Sequence, residues 1–461
     1  MTSSAEFARL AIETLCPTGA KVTISGNPEY GEVRDALSWN KRLADSRAPA
    51  LIVRVSRAEQ VAEALRFARA QGIRVSPRGG GHNYEARALR DDCLLLDLGG
   101  FDEIAIDAGA RSAWVGAGVQ GGRLIEELAQ YGLGFPIGHC SDVSLSGYLL
   151  SGGFGWNSGS WGPACASVSE VELVLPSGAV LQASETVHPE LFWAARGGGA
   201  GLCAVATRYR LKLHPLPQAA ATWSGRFAAA DAPLMADWLD RAVRGAHSSS
   251  EIACLVGPDI HTGEPAIAIR AVGMAQESGE AWRRIGSFDS PLPPARQIGA
   301  PEWEVTDFAD LTKLSSMPTG KRVAADHIWS ESSLGEMLLA VHHLAGIPGK
   351  SSTINLFGFG GGECVPNFAF GRDGALSVGG GNEAGIYAMW DDPIDDPLHL
   401  DWVRAANVSL APHRDGRYVG EASLAADNGR VAECFTSEAL RRLTRLRREH
   451  DPDSLLFGFE S

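Results

Sequence analysis

Three consecutive glycines, Gly79-Gly80-Gly81, stand between Arg78 and His82-Asn83-Tyr84. Residues without Cβ can take positive φ and let another group come close to the main chain. Successive N–H groups in such a turn point into one concavity that suits an anion such as a pyrophosphate. Arg78 adds a permanently charged fork of the kind that binds phosphate. His82 supplies an imidazole, which is both titratable and nucleophilic. A tight hairpin ending in a surface histidine is the plainer reading of the same residues. Upstream, residues 50–55 read as a strand. Ser56 is the expected N-cap of a helix with Val61, Ala64, Leu65 and Ala68 on one face, ended by Gly72. Residues 73–75 are the next strand. This is a β-α-β unit, but its contiguous glycines do not match the spaced, helix-opening fingerprint of dinucleotide-binding sheets. Asp97, inside an apolar run, reads as a strand-end residue rather than a ribose ligand.

A second stretch follows roughly 60 residues later. It carries Gly138-His139-Cys140, then Val143-Ser144, Gly147-Tyr148 and Gly152-Gly153-Phe154-Gly155. The two motifs, in this order, resemble the berberine bridge enzyme-like oxidases of the vanillyl-alcohol oxidase superfamily of FAD enzymes. In that family the histidine bonds the flavin 8α-methyl carbon and the cysteine bonds C6. The resemblance puts His82 and Cys140 on those positions and implies a bicovalent FAD. It implies further FAD contacts from Arg78, Gly79, Gly80, Gly81 and Asn83, and from Gly138, Val143, Ser144, Gly147, Gly152, Gly153 and Gly155. A third stretch, Trp193-Ala194-Ala195-Arg196-Gly197-Gly198-Gly199 with Gly201 and Val205-Ala206-Thr207, resembles the segment that completes the family's flavin pocket. It adds Val205. A simple turn before a strand is the alternative for this third cluster.

At 461 residues the chain exceeds one compact core, and two domains are expected. The resemblance implies an α+β fold: a two-part PCMH-type FAD-binding domain, plus a substrate domain with an antiparallel sheet backed by helices. The break at 214–218 marks a domain boundary, and the resemblance then implies an FAD-binding domain at 1–214, a substrate domain at 215–410 and a C-terminal return at 411–461. The formal charge of −14 disfavours a phosphate-backbone partner, so no nucleic acid is expected. No apolar run reaches the ~20 residues that cross a membrane. The N-terminus shows no secretory pattern, which points to a reducing cytoplasm. Eight scattered cysteines form no Cys-x-x-Cys pair, so no metal is expected. Nothing in the sequence fixes the oligomeric state.

Helices are predicted over 4–15, 122–131, 232–245, 279–285, 333–345 and 438–449. Further strands are predicted over 93–98, 104–107, 113–116, 168–175, 180–181, 204–213, 222–227, 251–256, 266–272, 354–359 and 384–389. The family often carries Tyr-x-Asn-Tyr or Tyr-x-Asn-Phe before its last helix, and the final tyrosine is frequently the catalytic base. Here that segment reads Tyr418-Val419-Gly420-Glu421. The phenol is replaced by Glu421, a carboxyl that burial would turn into a base near neutral pH. Tyr418 and Glu363, the latter after a Gly-Gly turn of the substrate domain, are the other catalytic candidates. His139 could polarise Cys140 or touch substrate. Tyr387 and Trp390 read as packing, and His342-His343 as structural. The expected function is oxidation of an alcohol, sugar or secondary metabolite by hydride transfer to flavin N5, with O2 as acceptor. A monooxygenase or cyclase of secondary metabolism on the same fold is the alternative, and a non-catalytic flavin-binding protein is a third reading. No Gly-x-Ser-x-Gly elbow supports a hydrolase.

Overall fold

The computed structural model describes residues 4–286, 288, 291–313, 317, 319–346, 349, 351–362, 368–379, 381–424 and 429–459. The predicted β-α-β unit forms a four-stranded sheet in the order Lys21–Ile24, Leu51–Arg54, Leu94–Asp97, Val75–Arg78. Leu51–Arg54 and Val75–Arg78 both run parallel to Leu94–Asp97, whose four residues are all buried. Continuous apolar runs of this kind are what a parallel strand covered on both faces requires. The helix Ala58–Gln71 lays Val61, Ala64, Leu65 and Ala68 on the sheet. Gly72 ends it at φ +68, a left-handed cap that glycine adopts without strain. The C-terminal tail returns to the same place: Val75 N–H donates to Leu455 O at 2.8 Å, and Phe457 N–H to Val75 O at 3.0 Å.

A second, five-stranded antiparallel sheet has the order Ile104–Asp107, Ser112–Gly116, Val205–Lys212, Val168–Val174, Val180–Ser184. Both sheets share one apolar core, which also takes in Leu443 and Leu446 of the last helix, Ser437–His450.

The expected sheet backed by helices has seven antiparallel strands. Their order is Glu302–Thr306, Ala219–Ala228, Pro265–Ala275, Glu251–Pro258, Thr353–Phe359, Asn382–Trp390, Arg322–Ser330. Strand alternation divides its two faces. Ile252, Cys254 and Val256 point into a separate core with the helices Ala232–Gly245, Leu334–Val341 and Asp396–Leu410. Glu251, Ala253 and Leu255 point the other way, into a cavity. No described helix is long and apolar enough to cross a membrane.

Three of the elements that the sequence reading missed show why. The strand Arg322–Ser330 carries Asp326-His327 in its middle, which breaks any apolar alternation, yet every residue after Arg322 is buried. The helix Asp396–Leu410 opens on Asp396-Pro397 and buries only His399, Trp402, Ala406 and Leu410. The strand Lys21–Ile24 is short and half exposed.

The seven-stranded sheet is tied to the rest by buried polar groups. Asn40, fully buried, donates to Tyr84 O and Val323 O and accepts from Val323 N–H. Asp326, 1 % exposed, accepts from Arg417 Nη1 at 2.9 Å, Ser423 N–H at 3.1 Å and Arg430 Nη1. Arg417 is itself 2 % exposed. Removing one partner of a buried pair leaves the other charge uncompensated, at about 3–5 kcal/mol. Asp326→Ala is therefore expected to lower the free energy of chemical unfolding by that amount. A loss below about 1 kcal/mol would contradict this reading of the tie.

Candidate functional site

The cavity of about 760 Å³ lies between the glycine loop and the polar face of the seven-stranded sheet. The loop is shaped by what surrounds it. A Cβ on Gly79 would sit 2.0 Å from Ser146 Oγ, one on Gly80 2.6 Å from Ser144 Oγ, and one on Gly81 2.3 Å from Leu37 O. Gly81 is also at φ +75. The two glycine motifs of the sequence thus interlock, and no side chain fits between them. Arg78 clamps the loop rather than offering its whole fork to a ligand. Its Nε donates to Leu37 O at 2.8 Å, its Nη1 to Gly79 O and Asp97 Oδ1, and its Nη2 to Gly80 O. Asp97 is accordingly a strand-end ion-pair partner.

His82 is held by its carbonyl, which accepts from Trp39 Nε1 at 3.1 Å. Its buried Nδ1 has no hydrogen-bond partner among the described residues. Burial lowers the imidazole pKa, and Arg78 lowers it further, against the upward pull of Asp142. A neutral ring with an unengaged nitrogen is the nucleophilic form. Cys140, half-buried and outside any disulfide, lines the same cavity. Asn83, Gly138, Val143, Ser144, Gly147 and Val205 also line it. Asn83 Nδ2 donates to Gly420 O at 3.1 Å, joining the loop to the C-terminal segment. Gly152, Gly153 and Gly155 stand one layer behind the wall. Gly153 N–H donates to Tyr418 Oη at 3.0 Å, Gly155 backs onto Ile137 O, and Gly152 onto Leu376.

The opposite wall carries Glu421. Residues Tyr418 to Ala422 form a tight turn, with Glu421 and Ala422 N–H both donating to Tyr418 O. The turn is locked from behind by Glu85, which accepts from Ser423 Oγ at 2.8 Å and Leu424 N–H at 3.1 Å. Tyr387 Oη donates to Glu421 Oε2 at 2.7 Å, and its ring packs on Tyr84 with centroids 5.3 Å apart. Tyr387 is therefore no mere packing residue. Its ring lies back along its own strand, over Gly385, where a Cβ would come within 2.4 Å of the phenol oxygen. The signal in the sequence was Gly385-Ile386-Tyr387, a glycine two positions from an aromatic on the same strand face. Trp390 does pack, stacked on His399 at 4.5 Å. Glu363 lies outside the described residues.

Burial raises the Glu421 pKa, and Glu383 raises it further. His327 and the Tyr387 hydrogen bond oppose the rise. Tyr418 is buried too, and its phenol is pushed well up, so it stays protonated. Two His–Glu pairs flank Glu421. His327 Nε2 meets Glu383 Oε2 at 3.0 Å, and His139 Nε2 meets Glu251 Oε2 at 2.9 Å. Burial would lower both imidazoles, but their carboxylates outweigh it and raise them. His139 is also gripped between Trp156 and Phe357, with centroids at 4.6 and 5.4 Å. It bonds to Glu251 of the seven-stranded sheet, a position its place beside Cys140 did not reveal.

A Cβ-free cradle, an orphaned imidazole nitrogen and a thiol in one cavity suit FAD, the group implied by the motifs. Among the described residues no cluster of three or more His, Cys, Asp or Glu could hold a metal.

Residues 49–184 match a family described as the FAD binding domain. The FAD-linked oxidoreductase nodO of Hypoxylon pulicicidum is 24% identical over 423 residues, covering 89% of this chain and 90% of its own. The (R)-6-hydroxynicotine oxidase of Paenarthrobacter nicotinovorans is 36% identical over 170 residues, 37% of each chain. Among solved structures, Physcomitrella patens BBE-like 1 superposes with a TM-score of 0.83 over 97% of this chain and 98% of its own, at 19% identity. The chain is an FAD-dependent oxidoreductase with the berberine bridge enzyme-like fold.

Proposed function

We propose that this protein is an oxidase that carries FAD bonded to His82 and Cys140, with Glu421 as its catalytic base. The observation that carries the reading is the half-buried Glu421 carboxyl, held by Tyr387 in the cavity that the His82 loop lines. FAD bound there supplies a two-electron acceptor that takes hydride from a substrate carbon and passes the electrons to O2, releasing hydrogen peroxide. Everything else falls to the chain. His82 and Cys140 would hold the flavin ring by its edge, and the Gly79–Gly81 turn would admit it against bare backbone. An ionised Glu421 would accept the proton of the substrate hydroxyl or amine as the hydride leaves. Tyr387 would stabilise that carboxylate by its 2.7 Å hydrogen bond and aim it. The sheet wall of Leu255, Val272 and Phe357 would keep water away and strengthen these interactions. An alcohol, sugar or secondary metabolite is the substrate class this arrangement serves.

Intact mass under denaturing conditions is expected to exceed the polypeptide by one FAD. His82→Ala and Cys140→Ala should each keep the adduct through the remaining bond, and the double variant should lose it. Flavin released from the wild type would contradict the linkage. Glu421→Gln is expected to retain FAD and lose about 100-fold or more in turnover. Since only the ionised carboxyl is a base, wild-type kcat/KM should fall as pH drops through the raised Glu421 pKa. That acid limb should vanish in the variant. Unchanged turnover or an unchanged limb would remove Glu421 from this role.

A further inference from the structure

Resting on that reading, we infer that the substrate carries a carboxylate and that Arg270 is the group that binds it. Arg270 lies on the strand Pro265–Ala275 and lines the cavity from the substrate sheet. Its Cα pairs with Ala253, which pairs in turn with Phe357, so its side chain shares the cavity face with both. Among the described residues its guanidinium makes no hydrogen bond and no ion pair. Only the more distant charges of Glu304 and Glu251 act on it, and burial pulls its pKa down.

Every comparable group nearby is satisfied. Arg78 and Arg87 also line the cavity, and they are paired with Asp97 and Glu85. Glu251 is on the neighbouring strand, but its two oxygens are taken by His139 Nε2 and Asn157 N–H. Glu304 is exposed and outside ion-pair range. A half-desolvated guanidinium without a counter-ion is costly in a chain with 55 acidic residues to choose from. Its planar fork matches a carboxylate bidentately. The same wall holds a second unmet group: the buried Asn355 Oδ1 has no partner among the described residues, and its NH2 end adds donors. Around them Ala253, Leu255 and Val272 are apolar. An ionised carboxylate on an apolar body satisfies Arg270, while the carbon to be oxidised is presented to Glu421.

The test uses the FAD-loaded protein and matched pairs of neutral and charged probes: benzoate with benzamide, phenylacetate with its amide, and 2-naphthoate with its amide. Binding is read by calorimetry and by perturbation of the flavin spectrum. At least one carboxylate is expected to bind wild type about 30-fold or more tightly than its amide. Arg270→Met should abolish that preference and leave amide affinity unchanged, and Arg270→Lys, which keeps the charge but not the fork, should retain part of it. FAD content and melting temperature confirm that each variant is folded, and if the Met variant misfolds, Arg270→Gln replaces it. A carboxylate preference that survives in the Met or Gln variant, or no preference across all three pairs in wild type, overturns the inference. Failure of the oxidase reading shows separately, as absence of bound flavin, because calorimetry reads carboxylate binding with or without it.

Discussion

The geometry of the site hangs on one buried carboxylate. Asp326 sits on the outermost strand of the seven-stranded sheet, and it holds Arg417, Ser423 and Arg430, which bracket the turn that carries Glu421. Glu85, from the segment after the glycine loop, grips the same turn from the other side through Ser423 and Leu424. The Glu421 turn is thereby fixed against two separately packed cores at once. A turn tethered only by its own backbone would let the carboxyl swing to solvent, where its pKa would return to the ordinary range. Charge buried at Asp326 is thus what makes charge placement at Glu421 reproducible.

The same logic runs through the cavity wall. Alternation along each strand gives the helices one apolar face and gives the cavity a face that mixes apolar and ionisable groups. In low dielectric such groups interact strongly and are costly when unmatched. Glu251 with His139, and Glu383 with His327, meet that demand within the chain. Glu421 meets it through Tyr387 and a raised pKa. Arg270 and Asn355 do not meet it within the described residues, and the imbalance marks where a ligand completes the wall.

The wall of the cavity around the glycine loop was legible in the sequence because it is built from contiguous residues. Glycine runs, the histidine and the cysteine sit in short motifs, and local backbone demands write them plainly. The motif also singled out Glu421, as a departure at a position expected to hold a phenol. What stayed hidden depends on register between distant strands. Tyr387 reaches Glu421 only because Gly385 leaves room on its own strand, and Arg270 is opposite Ala253 only by pairing. Asp326-His327 hid a strand, since the partners that neutralise them lie about 100 residues away or on the next strand. The helix Asp396–Leu410 was readable from the spacing of His399, Trp402, Ala406 and Leu410, and its Asp-Pro start obscured it.

The most direct measurement is a crystal structure of the FAD-loaded protein. The account predicts the flavin ring seated against the Gly79–Gly81 loop, continuous density from its edge to His82 and Cys140, and one face turned to Tyr387 and Glu421. A ring bound with that face toward Glu421 blocked by protein, or a flavin held elsewhere in the fold, would contradict it.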